Sequence, residues 1–243
     1  MTEFQLRSTQ DWSQPSDNAL AKIPIFRGLP PNTKRALSQS CQTRCYSPGE
    51  LIIEYRDKRN QVFFLIKGCV RVNYYAPDGK EVLFLDQHAG DLFGELSALD
   101  GRPRSANVLA LTESLVLIMP AAQFCQIVQN NSIMSNALLL HLTQRIRTLS
   151  ARVIEFSTLP VQDRVRAELL RLAGSGTPGN CGIIVRPAPT HAEIASRIST
   201  HREAVTRELN ELVRAGLVET RHRTLIIRDR QTLAAIIQNH TVE

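Results

Sequence analysis

The chain has 243 residues, 43% of them hydrophobic, enough to bury a core and too many for a disordered chain. Its net charge of +6 is spread evenly, which fits a nucleic-acid partner but excludes a basic tail as the means of binding one. No apolar run approaches the ~18 residues of a membrane span, and the five cysteines (41, 45, 69, 125 and 181) lack C-x-x-C spacing. With no secretory signal in the opening MTEFQLRSTQ, a reducing, cytoplasmic setting without membrane attachment is expected.

In chain order, residues 1–18 are polar and read as a loose tail, followed by a short helical piece near Pro31–Cys41. From Cys45 to Pro120 the pattern is that of short strands. In GCVRVNYYAPDGKEVLFL, Val70, Val72 and Tyr74 alternate with Arg71 and Asn73, the chain turns at Pro77-Asp78-Gly79, and Val82 and Phe84 resume. YSPGE and DQHAGD read as further turns, so a sandwich or barrel-like roll is expected.

After Pro120 the period becomes helical: a short helix over 121–129, then a long one over 132–157. On the long helix Leu139, Leu142, Ile146, Leu149, Val153 and Phe156 are spaced 3, 4, 3, 4, 3, the seam of a coiled coil. That alternation favours a helix that pairs with its own copy over one packed on its own domain, hence a homodimer. Ser157, Thr158 and Pro160 end it, and another helix runs to about Ala173. GSGTPGNCG reads as a flexible loop, LVETRHRTLIIRD as a small hairpin, and a last helix is expected near 231–238. The segments are thus a tail (1–18), a β-roll domain (19–131), a dimerisation helix with its hinge (132–158) and a C-terminal domain (159–243) of an α+β fold.

The C-terminal domain writes Thr-His-x-Glu twice, at Thr190–Glu193 and Thr200–Glu203. Thr-x-x-Glu is the capping box, so two copies mark two helix starts. One helix covers about 191–197 and the other about 201–215, stopping near Gly216, with the tight turn Ile198-Ser199-Thr200 between them. The pair forms a helix-turn-helix. On the second helix Val205, Leu209, Leu212 and Val213 form the buried side, and Arg202, Glu203, Thr206, Arg207 and Asn210 the other. Arginine can donate twice to guanine and glutamate can accept from the cytosine amino group. The alternative is a solvated face with a Glu203–Arg207 ion pair at i,i+4. The hairpin after it, with Arg221, His222 and Arg223 at its tip, resembles a wing that touches phosphates.

GDLFGELSALDGRPRSANV, residues 90–108, resembles the phosphate-binding cassette of cyclic-nucleotide-binding domains. Arg104 can pair with a cyclic phosphate, Ser105 and nearby backbone N–H groups can add donors, and Glu95 can accept from the ribose 2′-OH. Gly94 lets the backbone come close to the sugar, and Leu96 completes the G-E-L element. The alternative is a turn with a surface Arg–Glu pair. Roll, long helix and winged helix in this order resemble the cyclic-AMP receptor protein / fumarate-nitrate-reduction regulator family of bacterial transcription factors, from about residue 20 onward.

That resemblance implies a dimer that reads palindromic, TGTGA-like sites in double-stranded DNA and acts with RNA polymerase. It implies a nucleotide held between the roll and the long helix. Arg202, Glu203 and Arg207 would be the base readers, and Thr190, His191, Thr200, His201, Thr206 and Arg223 complete the expected DNA-facing set. Two positions depart from the family pattern. Where cyclic-AMP-responsive members carry a Thr-Ser pair that reaches the adenine, this chain has Leu149-Ser150. Ser150 fits and Leu149 cannot hydrogen-bond a base, so cyclic AMP is the default ligand, with cyclic GMP or another nucleotide as the alternative. Ser199 stands where the turn commonly holds glycine. The cysteines do not form the clustered N-terminal set an iron–sulfur centre needs, so no metal or further cofactor is expected. Without a Ser-His-Asp set, metal motif or P-loop, a regulator is favoured over an enzyme. A family member that binds DNA with an empty pocket is the remaining alternative.

Overall fold

The structure, a computed structural model, describes residues 20–241. The stretch 1–18, expected to be a loose tail, lies outside the described residues. Packing divides the chain into two compact units. One runs up to Tyr74 and from Phe84 to Thr143; the other takes Tyr75–Leu83 and the chain from Gln144 onward.

The first unit opens with two short 3-10 turns, Leu20–Lys22 and Pro24–Phe26, and helix α1, Pro31–Ser40. Six strands follow: β1 (Gln42–Tyr46), β2 (Leu51–Ile53), β3 (Val62–Lys67), β4 (Cys69–Tyr75), β5 (Glu81–His88) and β6 (Leu92–Phe93). Then come α2 (Glu95–Asp100), β7 (Asn107–Ala110), β8 (Ser114–Met119), α3 (Ala121–Asn130) and the long α4 (Ser132–Thr158). The strands form two four-stranded sheets, ordered β1-β8-β3-β6 and β2-β7-β4-β5, the expected roll.

β3 shows why the roll needs helices. Its sequence Val-Phe-Phe-Leu is apolar on both faces, and all four residues are buried. Phe63 and Leu65 join the core between the sheets with Val70, Phe93, Val108 and Val116. Val62 and Phe64 point the other way, into a second core with Phe26, Leu37, Phe124, Met134 and Leu138. The hairpin turns at Gly79, φ +83, where the Ala76 and Lys80 backbones bond at 2.9 Å. Its phase differs from the expected one. Leu83, not Val82 or Phe84, faces the core, and Phe84 is 38% exposed. On β4, Arg71 and Asn73 are buried, Arg71 through a two-pronged pair with Asp86 at 2.8 and 3.1 Å.

The second unit adds α5 (Val161–Ser175), β9 (Thr177–Gly179), β10 (Gly182–Val185), α6 (His191–Arg197) and α7 (Arg202–Arg214). β11 (Val218–Arg221), β12 (Thr224–Ile227) and α8 (Arg230–Thr241) complete it. The segment GSGTPGNCG, expected as a loop, instead carries β9 and the turn into β10, extending the sheet to β11-β12-β10-β9. All three residues of Thr177-Pro178-Gly179 are exposed, so no apolar alternation announces the strand, and its proline is tolerated on an edge strand.

Charged residues bind this unit together. Buried Glu168 accepts from Arg171 (2.8 Å) and pairs with Arg152 (3.2 Å) and Arg197 (3.6 Å). Arg171 also clasps Glu155 at 2.7 and 2.9 Å, and Arg152 donates to the Arg197 carbonyl at 3.2 Å. Arg152 and Glu155 lie on α4. The packing boundary therefore falls inside that helix, at Thr143, ahead of the break at 158–160 that the sequence marks. Arg166 bridges two buried carboxylates, Asp163 at 2.8 Å and Glu208 at 2.7 Å.

Candidate functional site

In the first unit, Gly94 alone joins β6 to α2, in the left-handed region at φ +77. A Cβ there would lie 2.7 Å from Arg104 Nη1, 3.1 Å from Ile53 Cδ1 and 3.2 Å from the Gln61 carbonyl oxygen. Both conformation and space require glycine. Within the protein itself, the missing side chain makes room for the arginine.

Arg104 is 3% exposed. Its Nη1 donates to the Gly94 carbonyl and its Nη2 to the Gln61 carbonyl, each at 2.7 Å. Its backbone is tied to the loop 54–60: Arg104 N donates to Asp57 O and Arg56 N to Arg104 O, both at 2.9 Å. The guanidinium lies 5.5 Å from the Phe63 ring centroid, and Phe63 stacks on Phe93 at 5.2 Å. A guanidinium has five N–H donors. Two serve the carbonyls, and among the described residues the other three have no partner, a fork suited to phosphate oxygens. Burial pulls the Arg104 pKa down, and Asp57 opposes that shift.

Arg104 lines a small notch with Ile52, Ile53, Asp57, Arg59, Gln61 and Phe63, about 10 Å³ in volume. That holds one water at most. Glu95, the first residue of α2, is also buried. The structure thus brings Gly94, Glu95 and Arg104 together, while Ser105 is exposed and Leu96 is 46% exposed. Ser150 is exposed on the part of α4 that belongs to the second unit. Asp57, Arg59, Gln61 and Phe63 carry no motif in the sequence: Arg-Asp-Lys-Arg reads as an ordinary solvated loop.

In the second unit the first capping box is complete. Thr190 Oγ1 accepts from Glu193 N at 3.2 Å, and Glu193 Oε2 accepts from Thr190 N at 2.8 Å. The second box does not form. The N-cap of α7 is His201, which makes no side-chain cap bond, so Thr200 sits one residue too early. Thr200 instead closes α6: its N–H donates to Ala195 O at 3.0 Å while Ser199 takes φ +53. Serine therefore fills the left-handed position that glycine commonly holds.

α7 buries Val205, Glu208, Leu209 and Leu212, and the chain turns away just after it at Gly216, φ +72, with Leu217 N bonded to Leu212 O at 3.0 Å. Val213, expected inside, is 40% exposed; it lies about 100° around the helix from Leu212, and Glu208 takes the inner position through Arg166. The opposite face gathers Arg202, Glu203, Thr206, Arg207, Asn210 and Arg214 around one open depression. No Glu203–Arg207 ion pair is present among the described residues, so both side chains stay available. Thr206 is less available: its hydroxyl donates to Arg202 O at 3.0 Å and lies 2.8 Å from His191 Nδ1. Burial and then Arg202 hold the His191 pKa below its ordinary value.

At the wing tip His222 takes φ +37, and Arg223 is exposed. Arg221 ends β11 and is paired with Glu219, so it is not a free cation at the tip. On α4 the seam is uncovered in the single chain: Leu139 is 63%, Ile146 64%, Leu149 49%, Val153 63% and Phe156 38% exposed. Leu142 differs, since it packs partly against the core of its own unit.

Residues 43–131 match the family described as Cyclic nucleotide-binding domain, and residues 163–236 match the Crp-like helix-turn-helix domain. The chain is 28% identical over 219 residues to a CRP-like cAMP-activated global transcriptional regulator of Mycobacterium tuberculosis, covering 90% of this chain and 98% of that protein. It is 29% identical over 191 residues to a cAMP-activated global transcriptional regulator of Pseudomonas aeruginosa, covering 77% of this chain and 89% of that one. Its fold is similar to that of the c-di-GMP responsive global regulator CLP of Xanthomonas campestris, with TM-score 0.72, 19% identity and coverage of 81% and 98%. With a cyclic-nucleotide-binding roll, a long helix and a Crp-like helix-turn-helix in one chain, the protein belongs to the cyclic-AMP receptor protein / fumarate-nitrate-reduction regulator family of DNA-binding transcription regulators.

Proposed function

We propose that the protein is a homodimeric transcription regulator whose binding to palindromic DNA is gated by a cyclic nucleotide, cyclic AMP in the first instance. The observation that carries this reading is Arg104: a buried guanidinium with three N–H groups unused, beside buried Glu95 and behind a glycine that nothing larger can replace. A cyclic phosphate would take the free donors, and Glu95 would accept from the ribose hydroxyl. The exposed seam on α4 supports pairing with a second copy, since water would otherwise face a row of large apolar side chains. Two copies would present two α7 helices to half-sites about one DNA turn apart. Arg202, Glu203 and Arg207 are the base-reading candidates, with Arg223, His191 and His201 toward the backbone. RNA polymerase is the partner the family likeness implies.

Two observations favour narrower alternatives. Leu149 offers no hydrogen bond to an adenine, which leaves cyclic GMP or another nucleotide as a second candidate; a fold relative already answers to a different one. The 10 Å³ notch favours a chain that binds DNA without a ligand. Calorimetric titration with cyclic AMP and cyclic GMP decides among these. Arg104→Leu should abolish most binding, because a charge-assisted partner is worth roughly 1.5–3 kcal/mol. Unchanged affinity in that variant would refute the cassette reading.

A further inference from the structure

The loop 54–60 places a carboxylate where an anion is expected to bind. Asp57 and Arg59 line the same notch as Arg104, and the loop is pinned to Arg104 by two backbone hydrogen bonds of 2.9 Å. Burial lowers the Arg104 pKa, and Asp57, like Glu95, acts against that shift. The Asp57 carboxylate is held in place: Oδ1 accepts from Arg59 N at 3.0 Å and Oδ2 from Arg59 Nε at 2.6 Å. Those bonds keep its pKa below the ordinary carboxylate value, so it is ionised at neutral pH. Its side chain is 19% exposed while that of Arg59 is 68% exposed, so water screens the arginine more than the acid. A fixed negative charge in a phosphate site is costly unless it serves a discrimination.

We propose that Asp57 sets the charge selectivity of the Arg104 site, admitting a singly charged phosphodiester and disfavouring doubly charged phosphate monoesters. The proposal rests on the reading of Arg104 as the phosphate partner. The physics is linear: at one position, repulsion from a fixed carboxylate scales with the charge on the ligand. A cyclic phosphate is a diester with one negative charge; the ring-opened monoester at the same place carries nearly two. Asp57 therefore penalises the opened product about twice as heavily as the cyclic form, without touching the base or the ribose. Specificity of this kind comes from a repulsive element placed against the competitor.

Asp57→Asn is the direct test. Asparagine keeps an Oδ1 to accept from Arg59 N, so the backbone turn survives, while its Nδ2 cannot accept from Arg59 Nε, so the charge and the ion pair are lost together. Full-length wild-type and variant proteins are titrated with cyclic AMP and with 5′-AMP at matched ionic strength. For a partly screened charge, Asp57→Asn should tighten cyclic AMP about threefold and 5′-AMP about tenfold, the square of the first factor. Arg59→Gln should shift both affinities the opposite way, again more for 5′-AMP. Equal changes for the two ligands, or no change, would overturn the role of Asp57 while leaving the site itself standing. Failure of both ligands to bind either protein would overturn the anion site and Asp57's role with it.

Discussion

Alanine at Gly94 and at Gly101 imposes the same backbone penalty and differs in what the new methyl group meets. Both glycines flank α2 with positive φ, +77 and +69. An L-residue pays about 1 kcal/mol for that conformation. At Gly101 a Cβ meets nothing within 4 Å, so Gly101→Ala should lose only this conformational cost. At Gly94 the Cβ arrives 2.7 Å from Arg104 Nη1 and 3.2 Å from the Gln61 carbonyl oxygen. Overpacking of that kind adds about 1–3 kcal/mol, for a total of roughly 2–4 kcal/mol. The guanidinium is the group displaced, so nucleotide affinity should fall in Gly94→Ala and hold in Gly101→Ala. Hydrogen exchange at the amides of β3 and β8 reports the stability of this unit alone, and calorimetry reports the affinity. Equal stability losses in the two variants, or full nucleotide affinity in Gly94→Ala, would refute the packing of Arg104 against this turn.

Ile146→Asp sets two like charges in an apolar seam and should shift the protein from dimer to monomer in sedimentation; a wild-type protein that is monomeric at micromolar concentration would contradict the pairing. Arg166→Met leaves Glu208 as a buried carboxylate without its cation and removes one partner of Asp163, at a cost of about 3–5 kcal/mol in chemical denaturation. That loss should shrink as pH falls and Glu208, whose pKa burial raises, takes up a proton; a loss below about 1 kcal/mol would show the bridge to be marginal. Glu203→Ala should relax base preference at one position per half-site with little loss of nonspecific affinity. Arg207→Ala should cost about 1–3 kcal/mol per contact, and Arg223→Ala should weaken all sequences alike and flatten the salt dependence, as selection on random duplexes would reveal.

The elements legible in the sequence are those whose signal is local. Thr190 and Glu193 form their box because both partners lie within one turn, and the spacing of Leu139 to Phe156 describes a helix that is indeed continuous. Thr200 misled because the same four-residue pattern can serve the end of one helix as well as the start of the next. Here Ser199, in a left-handed conformation, commits Thr200 N–H to α6. β9 was hidden because an exposed edge strand needs no apolar face. In the cassette, Arg104 and Glu95 could be named from their motif, but Asp57 and Gln61 reach Arg104 from the β2–β3 loop, far away in sequence. The attachment of α4 through Arg152 and Glu155 is likewise invisible, since its partners Glu168, Arg171 and Arg197 belong to α5 and α6.

The central claim is that a cyclic nucleotide at Arg104 controls DNA binding, and the most direct measurement is the affinity of the full-length protein for a duplex with paired TGTGA-type half-sites, followed by fluorescence anisotropy with and without cyclic AMP. Coupling between two sites in one protein is typically 1–3 kcal/mol, or about 5–150-fold in affinity. The account predicts tightening within that range for the wild type and none for Arg104→Leu. Equal DNA affinity with and without every cyclic nucleotide tried, at concentrations that saturate the protein, would contradict it.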